Sequence, residues 1–204
     1  MSNEKKIFSI TKKGYGEIIV KKSRFIGFAV PVDSAEKARE LVKEYKNRFS
    51  DATHVVHAFR TGGLHADISG STDDGEPSGT AGKPVLQIIN GENLTDIIVF
   101  IIRYYGGTKL GTGGLVRAYS DCAKLCIENA PKSQLIEKSI IESEFSYDFF
   151  ESIKNNIQVH KGIIIDEFFS DKVKIQVQIP SCEFEKLIND FNNITSGNNK
   201  TNLV

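Results

Sequence analysis

Hydrophobic and polar positions along the chain change period several times, and each change marks an element. Glu17–Pro31 carries apolar and β-branched residues in strand-like order, with Ser23-Arg24-Phe25 as an irregularity. The period then becomes helical. Ala35, Ala38, Leu41, Val42 and Tyr45 recur on one face to about Phe49, and Asp33 or Ser34 supplies the N-cap. Thr53–Thr61 predicts a strand. Gly62–Gly79 is polar, glycine-rich and too long for an idle connection. Pro84 suits a first helical turn, so Pro84–Asn90 is expected to be helical, with a strand as the alternative its β-branched content leaves open. Asp96–Tyr105 is apolar on both faces, the pattern of a central, buried strand. Gly106–Gly114 follows as a loop and Leu115–Asn129 as a helix.

Ala130-Pro131-Lys132 reads as a junction between two domains, 1–130 and 135–204. Beyond it the pattern predicts strand 136–147, helix 149–159, strands 161–168 and 172–179, helix 183–193, and a short last strand at 202–204. A polar loop, Ser196–Thr201, precedes that strand. This is the split βαβ order of a ferredoxin-like domain, and the whole chain is of the α+β class. Glycine usage changes at the same place: 12 of the 17 glycines lie between Gly62 and Gly114, and only two follow residue 130. The middle of the chain is built for tight backbone geometry and the end for packing.

Composition adds bounds. The 204 residues are 40% hydrophobic and 25% charged, enough apolar material for a core. The longest apolar run, Ile97–Ile102, is strand-sized, so no membrane span is expected. The first residues lack the apolar region of a signal peptide. The three cysteines, Cys122, Cys126 and Cys182, have neither disulfide nor zinc spacing, and the first two read as core thiols. These features predict a cytoplasmic protein. Net charge is zero, yet residues 1–130 hold 18 Lys+Arg against 15 Asp+Glu, while residues 131–204 hold 8 against 11. Residues 1–25 alone hold seven basic and two acidic groups, either a phosphate-attracting patch or an ordinary solvated lysine face.

Chemistry concentrates in two segments. The strand ending at Tyr105 enters a glycine loop and then a helix, which leaves free backbone N–H groups and the positive end of a helix dipole at one place. Arg103, Lys109 and Arg117 add charge beside Gly111, Gly113 and Gly114, so this loop is the candidate anion or nucleic-acid site. It matches no standard nucleotide fingerprint, because Thr112 stands at the P-loop lysine position and Val116 at the third dinucleotide glycine. The alternative is that these glycines only fit a tight crossing of backbone. The other segment sets Asp73, Asp74 and Glu76 beside Ser78 and Thr80. Its carboxylates are expected to pair with Arg103, Lys109 or Arg117, with a solvated turn or a magnesium site as alternatives. His54 and His57 lie on opposite faces of a strand and do not make a metal pair. Tyr104, Tyr105 and Phe59 are candidates for base stacking or for packing. No catalytic residue, metal or cofactor is assigned.

At these segments the chain resembles the Impact family, in its bacterial YigZ branch. The resemblance rests on Ser23-Arg24-Phe25-Ile26, on Ala52-Thr53-His54 with Ala58-Phe59-Arg60, on DDGEPSGTAGKP at 73–84 and on RYYGGTKLGTGGLVRAY at 103–119. It covers residues 15–130 through motifs, and residues 135–204 through layout and length. His57 departs from the aromatic residue usual there. The resemblance implies an N-terminal domain with the left-handed βαβ architecture of a ribosomal small-subunit protein. It also implies a C-terminal ferredoxin-like domain similar to the last domain of elongation factor G. Eukaryotic relatives restrain a stress kinase that acts on translation initiation, but they carry a different second domain. For this branch the implied function is non-enzymatic and translation-linked, with RNA, the ribosome or a translation-associated protein as partner. The acidic 131–204 segment departs from the pattern of a strong RNA binder. The alternative is an enzyme acting on a phosphorylated small molecule, with a metal held by Asp73, Asp74 and Glu76.

Overall fold

In the computed structural model, which describes residues 6–64 and 68–204, the chain opens with β1, Phe8–Ile10, and the hairpin β2, Gly14–Val20, with β3, Ser23–Pro31. Helix α1, Ala35–Arg48, strands β4, His54–Thr61, and β5, Ile68–Thr72, and helix α2, Gly82–Gly91, follow. Strand β6, Ile97–Tyr104, helix α3, Thr112–Glu128, and β7, Lys132–Gln134, complete this part. Ser34 caps α1, its hydroxyl accepting the Lys37 N–H at 3.2 Å.

The sheet order is β2-β3-β6-β4-β5, and each neighbouring pair is antiparallel. Strands β3 and β4 are therefore parallel, joined through α1, with β6 between them. Ile97–Ile102 of β6 are fully buried because helices cover both faces. One face packs Ile98, Phe100 and Ile102 on Ala38, Leu41 and Tyr45 of α1, and the Tyr45 and Phe100 rings stack at 4.0 Å. The other packs Ile97, Val99 and Ile101 against Val85 and Ile89 of α2 and Ala118, Tyr119 and Cys122 of α3. Each such large side chain, buried, contributes about 1.5–3 kcal/mol.

Three elements differ from the sequence reading. The stretch Glu17–Pro31 is two strands, folded at Lys21 and Lys22, which both have positive φ, 44° and 67°. Lysines carry no turn signal there, so the pattern ran on as one strand. Strand β5 lies inside the segment read as loop. It is an edge strand of mostly exposed small residues without apolar alternation, and residues 65–67 of that segment lie outside the described residues. Helix α3 begins at Thr112, three residues earlier than its apolar periodicity.

Two compact units divide between Leu135 and Ile136. Residues 132–134 pair with β1, so the segment read as a junction is part of the first unit. The second unit comprises β8, Lys138–Phe145, α4, Phe150–Val159, β9, Ile163–Phe169, β10, Val173–Pro180, α5, Phe184–Thr195, and β11, Lys200–Leu203. Its sheet order, β11-β8-β10-β9, all antiparallel, is the ferredoxin-like arrangement. Ile141, Phe145, Val173, Ile175, Val177 and Ile179 alternate inward onto Ile153, Ile157, Leu187 and Phe191 of the two helices. Outward, Lys174 meets Glu142 at 2.8 Å and Lys172 meets Glu144 at 3.2 Å.

Candidate anion-binding site

The acidic turn is organised by its own carboxylates. Asp73 accepts the N–H groups of Gly79, Ala81 and Gly82 at 2.7, 3.0 and 2.8 Å. It thus caps α2, whose N-cap residue Ala81 makes no side-chain cap hydrogen bond. Burial alone would raise the Asp73 carboxyl, but the three donors outweigh it and hold it below the usual range. Asp74 accepts the Val55 N–H at 2.7 Å and Lys46 Nζ at 2.6 Å, and these outweigh burial in the same way. The Asp74 carbonyl oxygen lies 2.8 Å from His54 Nδ1. A carbonyl only accepts, so Nδ1 carries a proton, while Nε2 lies 3.8 Å from Glu76 Oε1. Glu76 is buried and accepts from Arg103 Nη1 at 2.5 Å and from the Tyr119 hydroxyl at 2.8 Å. Burial, then the Glu76 charge, pushes the Tyr119 phenol far up. Thr80 donates to the Pro77 carbonyl at 2.6 Å, and Ser78 is exposed. The three carboxylates therefore engage three separate sets of protein partners. Among the described residues no three His, Cys, Asp or Glu side chains form a metal-holding group.

The glycine segment corrects two sequence expectations. Arg103 is grouped there with Lys109 and Arg117 as an anion-binding cation, but its side chain is only 6% exposed and is held by Glu76. Its guanidinium lies 5.4 Å from both the Phe25 and Tyr105 ring centres, and among the described residues its Nε has no hydrogen-bond partner. The strand-to-loop turn buries it because Glu76, Ser23 and Tyr119 surround the end of β6. Lys109 and Arg117 remain exposed. The helix start at Thr112, rather than at Leu115, also changes which N–H groups are open. Leu115 N–H donates to Gly111 carbonyl at 2.9 Å, so Thr112, Gly113 and Gly114 are the unpartnered donors of the first turn. Gly111, the N-cap residue at φ 75°, supplies no side chain, and no acidic residue stands in the first turn. The positive end of α3 is open, whereas that of α2 is filled by Asp73.

Two cavities flank this helix end, with Leu110 lining both. The first, about 510 Å³, joins the two segments and includes His54, Glu76, Arg103, Tyr105, Lys109 and Thr112 in its lining. The second, about 420 Å³, includes Lys21, Gly113, Gly114, Arg117 and Asp121. The structure thus brings Lys109 and Gly111 to one side and Gly113, Gly114 and Arg117 to the other. Sequence reasoning missed Lys21, Ser23, Tyr119 and the placement of His54. The irregularity noted at Ser23-Arg24-Phe25 was the available signal: Ser23 Oγ accepts the Gly106 N–H at 3.1 Å.

These features define a two-unit α+β protein whose first unit sets an acidic turn against the open N-terminus of a helix. Residues 21–127 match the Impact N-terminal domain, and residues 144–198 match a domain of unknown function, DUF1949. The chain is 30% identical over 193 residues to the IMPACT family member YvyE of Bacillus subtilis, covering 93% of this chain and 87% of that protein. It is 32% identical over 176 residues to the IMPACT family member YigZ of Escherichia coli, covering 84% and 86%. A crystal structure of a hypothetical protein aligns with a TM-score of 0.64 at 26% identity, covering 98% of this chain and 97% of that one. The chain belongs to the Impact family.

Proposed function

We propose that this chain is a non-enzymatic, translation-linked binding protein of the cytoplasm that takes a phosphate of RNA at the N-terminus of α3. The ribosome or a translation-associated protein is the wider partner in this reading. The observation that carries it is the open first turn of α3, with Lys109 on one side and Lys21 and Arg117 on the other. Three free N–H groups, a helix dipole and exposed cations suit an oxyanion. The acidic second part, with 8 basic and 11 acidic groups, departs from the pattern of a strong RNA binder, so the reading rests on the first unit. RNA titration at increasing salt tests the proposal. Lys109→Ala and Arg117→Ala should each reduce the magnitude of the log–log salt slope by about one. Equal binding by wild type and both variants, or none at low salt, removes it.

A second reading, an enzyme acting on a phosphorylated small molecule, draws on the cavity that joins both segments and on His54 Nε2 at its wall. The metal-dependent form has little support, since Asp73, Asp74 and Glu76 are each engaged elsewhere. Turnover of phosphorylated compounds followed by phosphorus NMR, with and without magnesium, would establish it.

No helix among the described residues is long and apolar enough to cross a membrane.

A further inference from the structure

We propose that the cavity beside Lys109 binds a phosphomonoester carried on a flat ring, as in a mononucleotide or the phosphorylated end of an RNA. The proposal rests on the anion-site reading and gives it a ligand class. The cavity of about 510 Å³ has the size of a small-molecule site. Its apolar wall is built from Pro77, Leu110, Leu115 and the half-exposed ring of Tyr105. A ring stacked on Tyr105 and lying along the two leucines would cover that wall.

Polar groups are few and placed at its ends. Lys109 and the unpartnered N–H of Thr112 offer charge and a donor for a phosphate. The second observation is Arg103, a cavity-lining side chain more than nine-tenths buried whose Nε has no acceptor among the described residues. A buried N–H without an acceptor is costly, and an acceptor atom on a bound ligand satisfies it. His54, with its Nδ1–H donated to the Asp74 carbonyl, lines the same cavity and adds Nε2 as a further hydrogen-bonding atom. A cationic end, an apolar middle and a hydrogen-bonding floor describe one phosphorylated ring unit.

Calorimetric titration of the full chain at low salt, with UMP, uridine and inorganic phosphate, tests this. UMP should bind at least about tenfold more tightly than either of the others. Lys109→Ala and Tyr105→Ala should each weaken UMP about tenfold, and Tyr105→Phe should restore it. Arg117→Ala, on the other cavity, should leave UMP binding unchanged while weakening RNA. An RNA with a terminal phosphate, compared with the same RNA ending in a hydroxyl, separates the two sources. Preference for the phosphorylated end assigns the site to RNA termini; UMP binding without that preference assigns it to free nucleotides. RNA binding without UMP binding or end preference overturns the inference and leaves the RNA reading standing. UMP binding without any RNA binding does the reverse. Equal binding of UMP and uridine, or equal loss from Arg117→Ala and Lys109→Ala, also overturns the inference.

Discussion

Arg103 Nη1 lies 2.5 Å from Glu76 Oε1, with the two side chains only 6% and 3% exposed. The same oxygen accepts the Tyr119 hydroxyl at 2.8 Å. One carboxylate thereby ties the end of β6, the acidic turn and the middle of α3 together, and so positions the walls of the cavity. Glu76→Ala would leave a buried guanidinium without its counter-charge, which costs about 3–5 kcal/mol. Tyr119→Phe removes one hydrogen bond to a charged group, about 1.5–3 kcal/mol, and leaves the pair intact. Urea unfolding of both variants decides the point. Equal losses would mean that the ion pair is not the anchor.

Asp73 makes a different prediction, because its partners are backbone donors. Asp73→Ala leaves the start of α2 uncapped and should destabilise by about 2 kcal/mol. The folded-state pKa values of Asp73 and Asp74 are held low, by N–H donors and by Lys46 with the Val55 N–H respectively, against the raising effect of burial. For a depressed carboxylate the stabilisation is complete above its unfolded value, about 3.9, and is lost as pH falls through the folded one. As pH falls from about 3.9 through the folded value, the wild-type chain should lose stability more steeply than Asp73→Asn. Parallel acid limbs would contradict the cap.

Much of this was legible in the sequence, and the failures share a cause. Strand β6 and the second unit follow from apolar periodicity, because burial on one or both faces writes itself into the chain. Cys122 and Cys126 lie in the core as their helical spacing implies, and burial pushes the Cys122 thiol up to about 12. The site was legible as two segments, not as a geometry. Which carboxylate meets Arg103 depends on long-range packing that no local pattern encodes. The strand β5 and the Lys21-Lys22 turn were missed because backbone pairing, not side-chain chemistry, defines them. The open turn of α3 lies ahead of its first apolar residue, where periodicity has nothing to report.

Two glycines separate packing from access. A Cβ at Gly106 would run into the backbone of Lys22 and Ser23. Gly106→Ala should therefore part the loop from the β2–β3 hairpin and cost about 3 kcal/mol or more. A Cβ at Gly113 meets nothing within 4 Å, and Gly113 lies in the first turn of α3. Gly113→Ala should raise stability by about 0.5–1 kcal/mol while crowding the N–H groups and weakening RNA binding. Thermal unfolding and titration on the same samples test both. If Gly113→Ala binds RNA unchanged, this glycine has no access role.

The second unit carries its own titration. His160 bonds Glu183 through Nδ1 and Asp190 through Nε2, both at 2.9 Å. Hydrogen bonds to Asp190 and then Glu183 raise the imidazole pKa against the opposing effect of partial burial. For a raised histidine the stabilisation is complete below its unfolded value, about 6.5, and is lost as pH rises through the folded one. Urea unfolding of the second unit's signals should show greater stability on the acid side of that window, and His160→Gln should flatten the dependence. An NMR titration of His160 giving an ordinary midpoint would remove the basis for it.

Lys21 and Lys22 make the hairpin tip at φ 44° and 67°, a conformation suited to Asn-Gly and costly for lysine. Strain of this kind, about 1–3 kcal/mol per residue, persists where the surroundings hold it, and it clusters at functional positions. Here the surroundings are the Gly106 backbone packed on Lys22, and the role suggested is charge, since Lys21 lines the cavity it shares with Arg117. Replacing the pair, Lys21→Asn with Lys22→Gly, should relax the turn and stabilise the chain by about 1 kcal/mol. The same change removes Lys21, which lines the cavity beside the open end of α3, and the adjacent charge of Lys22. If both charges meet phosphate, the magnitude of the log–log salt slope for RNA falls by about two. The double variant should thus be the more stable protein and the weaker binder. Unfolding midpoint and RNA affinity, measured side by side, separate the alternatives. Higher stability with unchanged affinity would reduce the two lysines to a strained but solvated turn. Lower stability would mean that the lysine stems pack on the hairpin and that the strain argument does not apply to this tip.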